Sequence, residues 1–155
     1  MPRIVVGPAD FDLDAELRRL ETGAGAVASF VGLVRGTAQG DTGVSRPLAA
    51  LTLEHYPGMT EQALAAIADT AMTRWHLLDC TIIHRVGCLK PGARIVLAAA
   101  SSAHRRDALE ATGFLIDWLK TDAPFWKRED FIDGTTTWVA ARSADTDARD
   151  RWITP

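Results

Sequence analysis

The sequence predicts an α+β fold, a largely antiparallel sheet covered by three helices. Three observations predict it. Apolar runs and helical spacings follow one another in the order β-α-β-β-α-β-β-α-β-β. The strands come mostly in adjacent pairs, which short turns join as antiparallel neighbours. There is neither a GxGxxG nor a GxxxxGK[ST] segment, the phosphate loops that mark many doubly wound parallel sheets.

Each element has its own signal. Ile4–Val6 reads as a short strand, and Phe11–Glu21 as a helix, with Phe11, Leu13, Leu17 and Leu20 near helical spacing and acids early. Gly23 and Gly25 punctuate the chain before Ala26–Val34, an apolar strand. RGTAQGDTGVSRP (35–47) has loop composition and is long for a connection inside a compact domain, a length usually tied to function or disorder. Leu48–His55 is the next strand. Tyr56-Pro57-Gly58 turns the chain, and Thr60 is the expected cap of a helix running to about Trp75, with Ala63, Leu64, Ile67, Ala71 and Trp75 as its apolar stripe. Cys80–Val86 and Arg94–Ala100 form a predicted hairpin across Lys90-Pro91-Gly92. Ser101 or Ser102 then caps the longest helix, Ala103 to about Thr121, whose inner face reads Leu109, Thr112, Leu115, Ile116 and Leu119. Pro124 ends it. Phe125–Glu129 and residues 137–142 are two further short strands. Residues 143–155 make a polar tail with helical potential that closes on Trp152.

At 155 residues the chain is expected to form one domain, 1–155, large enough to bury roughly 70% of its unfolded surface. A net charge of −3 gives a general nucleic-acid-binding role no support. Cys80 and Cys88 form neither a CxxC nor a metal ligand set, so no metal or other cofactor is expected, and a reducing cytoplasm fits. No signal peptide and no membrane-spanning run is visible.

Charge points to the chemistry. Of 17 basic residues only Lys90, Lys120 and Lys127 are lysines, and two of them flank one turn, WLKTDAPFWKRE (118–129). An ammonium loses its proton when desolvated or set beside another cation, which a guanidinium effectively cannot do. Spacing leaves two readings open: solvated surface lysines, or a pair that donates protons, accepts them or clamps an oxyanion. The long helix opens on His104-Arg105-Arg106, against the dipole preference for acids, which an anion bound there would relieve. A solvated basic turn is the other reading. His104 and Lys120 stand 16 positions apart on one helix, about 24 Å at 1.5 Å per residue. Either they serve different sites, or one site draws His104 and Arg105 from one subunit and Lys120 from another, which requires a homodimer. Arg35, opening the long loop, faces either a ligand or solvent. His55 reads as structural, and Cys88 has no activating surroundings.

Four segments, LTLEHYPGMTEQAL (51–64), IIHRVGCLKPGARIV (82–96), SSAHRRDALEA (101–111) and WLKTDAPFWKRE (118–129), together resemble the large, catalytic subunit of molybdopterin synthase. The likeness is collinear from about Gly25 to Trp152. It implies an α/β hammerhead with a smaller β subdomain. It also implies a sulfurtransferase that installs two dithiolene sulfurs in cyclic pyranopterin monophosphate, with no metal at this step. The implied partners are a second copy of the chain and a small ubiquitin-like subunit whose C-terminal Gly-Gly thiocarboxylate carries the sulfur. The resemblance assigns catalysis to Lys120 and Lys127, and substrate binding to Phe30, Arg35, His104, Arg105 and Arg128. Two departures stand out: a longer, glycine-rich loop over 36–47, and Asp122 where a basic residue is common. The alternative is a non-catalytic anion-binding or scaffold homologue of the same fold.

Overall fold

In the computed structural model, residues 1–140 and 143–153 are described. The elements are β1 (Arg3–Gly7), α1 (Leu13–Glu21), β2 (Ala26–Leu33), β3 (Thr37–Ala38), β4 (Arg46–His55), α2 (Met59–Arg74), β5 (Asp79–Arg85), β6 (Gly87–Leu89), β7 (Arg94–Ser102), α3 (Arg105–Asp122), β8 (Phe125–Phe131), β9 (Thr136–Trp138) and α4 (Ser143–Asp150). The α+β expectation holds. One sheet has the order β1-β5-β7-β2, antiparallel except for the β1–β5 pair. The other runs β3-β4-β8-β9, with β6 also paired to β4.

The helices do not share one face. Successive side chains of a strand point to opposite faces, and β7 shows both destinations. Val96, Ala98 and Ala100 pack beneath α2 and α3, while Leu97 and Ala99 pack with Phe11 and Leu20 of the α1 side. The first sheet is thus sandwiched, which is why the middle of β5 is buried on both faces and β7 reads as a continuous apolar run. A third cluster, Val34, Leu53, Val86 and Leu89, lies where the two sheets meet.

Several expectations are corrected. β5 and β7 do pair, but the chain between them peels off as β6 to join β4 in the second sheet. The long loop folds back, with Thr37 and Ala38 pairing with Pro47 and Arg46. Thr60 does not cap α2. Gly58 is the N-cap at φ +85°, a conformation that favours glycine, and Thr60 is fully buried instead. Neither Ser101 nor Ser102 caps α3: β7 runs on to Ser102, and His104 occupies the cap with no side-chain bond of its own. Leu109 is exposed, and Ala108, Ala111 and Phe114 fill the inner face beside Thr112, Leu115, Ile116 and Leu119. The strand expected over 137–142 is Thr136–Trp138, and Ala141 and Arg142 lie outside the described residues.

The polar tail forms a fourth helix, docked on α3. Trp152 meets Trp75 edge-on at 5.5 Å and Phe114 at 5.9 Å, and its indole N–H donates to Asp117 at 2.7 Å. Asp122 accepts a hydrogen bond from Arg149 of α4 at 2.8 Å, so its carboxylate serves the helix–helix contact. No helix among the described residues is long and apolar enough to cross a membrane.

Candidate functional site

α3 is one continuous helix, with His104 as N-cap and Lys120 in its last turn. The two basic groups therefore stand at opposite ends, about 24 Å apart. At the start of α3, Gly25, Ala103, His104, Arg105, Arg106 and Leu109 line an open groove of about 750 Å³. Gly25 is required there: a Cβ would fall 2.1 Å from the Ala103 carbonyl oxygen. His104 and Arg105 are exposed, while Arg106 is tied to Glu110 at 2.9 Å. Phe30 is part-exposed on β2, the edge strand of the first sheet, opposite Ala98.

At the far end, Lys120 is exposed, and its ammonium suits the negative end of the helix. The Pro124 carbonyl accepts a hydrogen bond from the buried Thr60 hydroxyl at 3.2 Å, which pins the turn to the start of α2. β8 then carries Lys127 opposite Leu53 and Phe125 opposite His55. Phe125 and Lys127 share one face of the strand, and Trp126 and Arg128 the other. Arg128 accordingly meets Asp130, donating to it at 2.6 Å, and lies over the Trp138 ring. Its partner Asp130 also accepts from Thr52 at 2.6 Å. The structure thus separates Arg128 from the face that bears Lys127.

Arginine pairing sorts the cations. Arg3, Arg18, Arg106, Arg128, Arg149 and Arg151 pair with carboxylates, as do Arg19 and Arg46, and Arg74, Arg85 and Arg94 donate to carbonyls. Among the described residues, Arg35 and Arg105 are the arginines with no such engagement, and both are exposed. Arg35 is nevertheless fixed in place. Its neighbour Val34 exchanges backbone hydrogen bonds with Ala93 and Gly92, and Gly36 accepts from Leu48.

One residue beside the turn escaped the sequence reading. His84 is buried and stacks on Phe125, with ring centroids 3.8 Å apart. Burial pushes its imidazole down to about 4, with the charges of Lys127 and His55 adding to the effect. Its sequence signal was a lone histidine in an apolar strand, which reads as core. Cys80 is buried, which pushes its thiol up to about 12, and Cys88 is exposed. No group of three or more His, Cys, Asp or Glu side chains among the described residues is arranged to hold a metal.

Residues 6–122 match the protein family described as MoaE protein. The chain belongs to the MoaE family. The molybdopterin synthase catalytic subunit of Ralstonia nicotianae is 52% identical over 155 residues, covering 98% of this chain and 85% of that one. Its counterpart in Escherichia coli strain K12 is 50% identical over 152 residues, 97% of each chain. The solved molybdopterin biosynthesis MoaE protein of Burkholderia ambifaria superposes with a TM-score of 0.80 at 46% identity, covering 100% of both chains. The MoaE match takes in Phe30, Arg35, His104, Arg105 and Lys120. Lys127 and Arg128 lie beyond it, within the region the longer alignments cover.

Proposed function

We propose that this chain is the catalytic subunit of a molybdopterin synthase. It moves sulfur from the C-terminal thiocarboxylate of a small ubiquitin-like partner onto cyclic pyranopterin monophosphate and so builds the dithiolene of molybdopterin. The observation that carries the reading is the pairing pattern: Arg35 and Arg105, with Lys120, are exposed and uncommitted among the described residues, whereas the other described arginines are spent on the fold. They are available to an anionic substrate, as is the exposed His104.

In this reading residues 1–155 are one cytoplasmic domain that works as a homodimer, with a small subunit at each end. Because α3 keeps His104 and Lys120 about 24 Å apart, each site combines Lys120, Lys127 and Arg35 of one subunit with His104 and Arg105 of the other. Phe30 walls the pocket, and Arg128 borders it from the outer face of β8. The thiocarboxylate sulfur attacks an oxygen-bearing carbon of the pterin side chain, forming a C–S bond as the C–O bond there breaks and its oxygen departs, and the carrier stays attached as a thioester. Water then attacks the acyl carbon, and the carrier leaves as its carboxylate. Ammonium groups stabilise the anionic sulfur and the tetrahedral oxyanion. Arginine and histidine grip the phosphate.

The test is reconstitution. The protein, a thiocarboxylated small subunit and cyclic pyranopterin monophosphate are mixed and molybdopterin is assayed. Product is expected with the wild type and is lost in Lys120→Ala and Lys127→Ala. Absence of product from folded wild-type protein with a verified thiocarboxylate refutes the reading.

A further inference from the structure

His84 is 3% exposed, in a strand whose neighbours Ile82 and Ile83 are core residues. An imidazole at such a place must desolvate two ring nitrogens, a cost that an apolar residue of similar size avoids. Its surroundings are specific. Nδ1 lies 2.8 Å from the Arg85 carbonyl oxygen. A carbonyl only accepts, so Nδ1 carries the proton and Nε2 keeps its lone pair. The ring lies on Phe125 with the two planes 18° apart. Phe125 opens β8, and Lys127 follows two residues later on the same face. Two other charged or titratable groups approach this seam. His55 ends β4 opposite Phe125, and its Nε2 lies 3.7 Å from Glu61 of α2.

Building on the proposed function, we propose that His84 is a positioning residue for Lys127: a neutral imidazole, locked by the Arg85 carbonyl and by Phe125, that turns its Nε2 lone pair toward the ammonium and fixes where it sits. The His84 ring lies on Phe125, and Lys127 is the next residue on that same face of β8, so ring and ammonium are neighbours along one seam, and electrostatic coupling is mutual. Burial keeps the ring uncharged at neutral pH, so it adds no second cation beside the lysine. An uncharged acceptor favours the ammonium form and limits the wandering of a flexible four-carbon stem. His84 thus acts through Lys127 and touches no substrate.

Three lysines make the test direct. In full-length protein labelled with 13C-lysine, each Cε signal is assigned with one Lys→Arg variant. In His84→Phe, which keeps an aromatic face on Phe125, the Lys127 signal shifts and its titration moves to lower pH by about half a unit or more, while Lys90 and Lys120 stay. With saturating thiocarboxylated small subunit, kcat falls roughly 10- to 100-fold and KM for the pterin stays within about twofold. His84→Gln, whose amide both donates and accepts, returns kcat to within about threefold of wild type. A Lys127 signal unchanged in both variants overturns the proposal, whatever turnover does. Wild-type kcat in folded His84→Phe overturns it too. Where His84→Phe does not fold, the reciprocal measurement decides: Lys127→Ala must move the 15N resonance of His84 Nε2, and a resonance that stays put overturns the proposal. The lysine spectrum is read without turnover. A wild type that makes no molybdopterin therefore refutes the proposed function separately.

Discussion

Lys120→Ala and the double variant His104→Ala/Arg105→Ala should each be inactive alone and recover activity when combined. The reasoning rests on α3, which runs unbroken from Arg105 to Asp122 and holds the two ends of the candidate site about 24 Å apart. If each site takes its lysines from one subunit and its His-Arg pair from the other, every homodimer of either variant has two broken sites. A heterodimer instead has one site with every group intact and one that lacks both sets. Equal amounts, mixed through unfolding and refolding, give about half heterodimers, and half of the sites in those are complete. The expected activity is about one quarter of wild type. Molybdopterin formation from thiocarboxylated small subunit measures it, with heterodimer content verified by native mass spectrometry. The same mixing of Lys120→Ala with Lys127→Ala must give no recovery, since both lysines come from one chain. Activity equal to the sum of the parents, with heterodimers present, refutes the shared site. Recovery to a quarter in the lysine pair would place the two lysines on different chains.

Four further outcomes can be measured. The folded value of His84, about 4, lies below its ordinary 6.5, so on acidification the unfolded chain takes up this proton first. The contribution of the neutral ring is complete above pH 6.5 and lost as pH falls through 4, roughly 3 kcal/mol in all. Urea unfolding should therefore weaken more steeply from pH 7 to 4.5 in wild type than in His84→Phe, and parallel curves would refute the assignment. A thiol reagent at pH 8 should modify Cys88 alone in the native protein and both cysteines in urea, because burial holds the Cys80 thiol protonated. Cys88→Ala should keep turnover within about twofold, since the sulfur arrives on the partner; a dead variant would make Cys88 part of the reaction. Trp152→Ala removes ring contacts with Trp75 and Phe114 and a hydrogen bond to Asp117. It should cost about 2 kcal/mol in thermal or urea unfolding, and an unchanged midpoint would mean that α4 does not hold the α2–α3 face.

What the sequence disclosed and what it withheld divide along physical lines. Helical spacing placed α1, α2 and α3, and apolar runs placed β2, β4, β5 and β7, because local periodicity reports which side of an element is buried. β6 was illegible: Gly87–Leu89 looks like the middle of a hairpin, and only its pairing partner, Leu51–Leu53, makes it a strand. The caps failed for a related reason. Thr60 has the right residue type for a cap, yet its hydroxyl is taken by the Tyr56 N–H and the Pro124 carbonyl, the second 64 residues away.

The site shows the same division, and Asp122 shows where it falls. By type and spacing, an acid between Lys120 and Lys127 reads as a threat to the positive potential of the turn. In the structure its carboxylate faces Arg149, supplied by α4 from the tail whose helical potential was legible but whose docking on α3 was not. Arg128 went the opposite way: next to Lys127 in sequence, it is carried by strand alternation to the other face and held by Asp130. Sequence shows which charges exist, but their availability depends on partners brought from a distance. That is why Arg35 and Arg105 stand out only once Arg106 is seen on Glu110 and Arg149 on Asp122. A chain that spends nearly every described arginine on its own carboxylates and carbonyls, yet leaves these two exposed, keeps two guanidinium forks available to an anion.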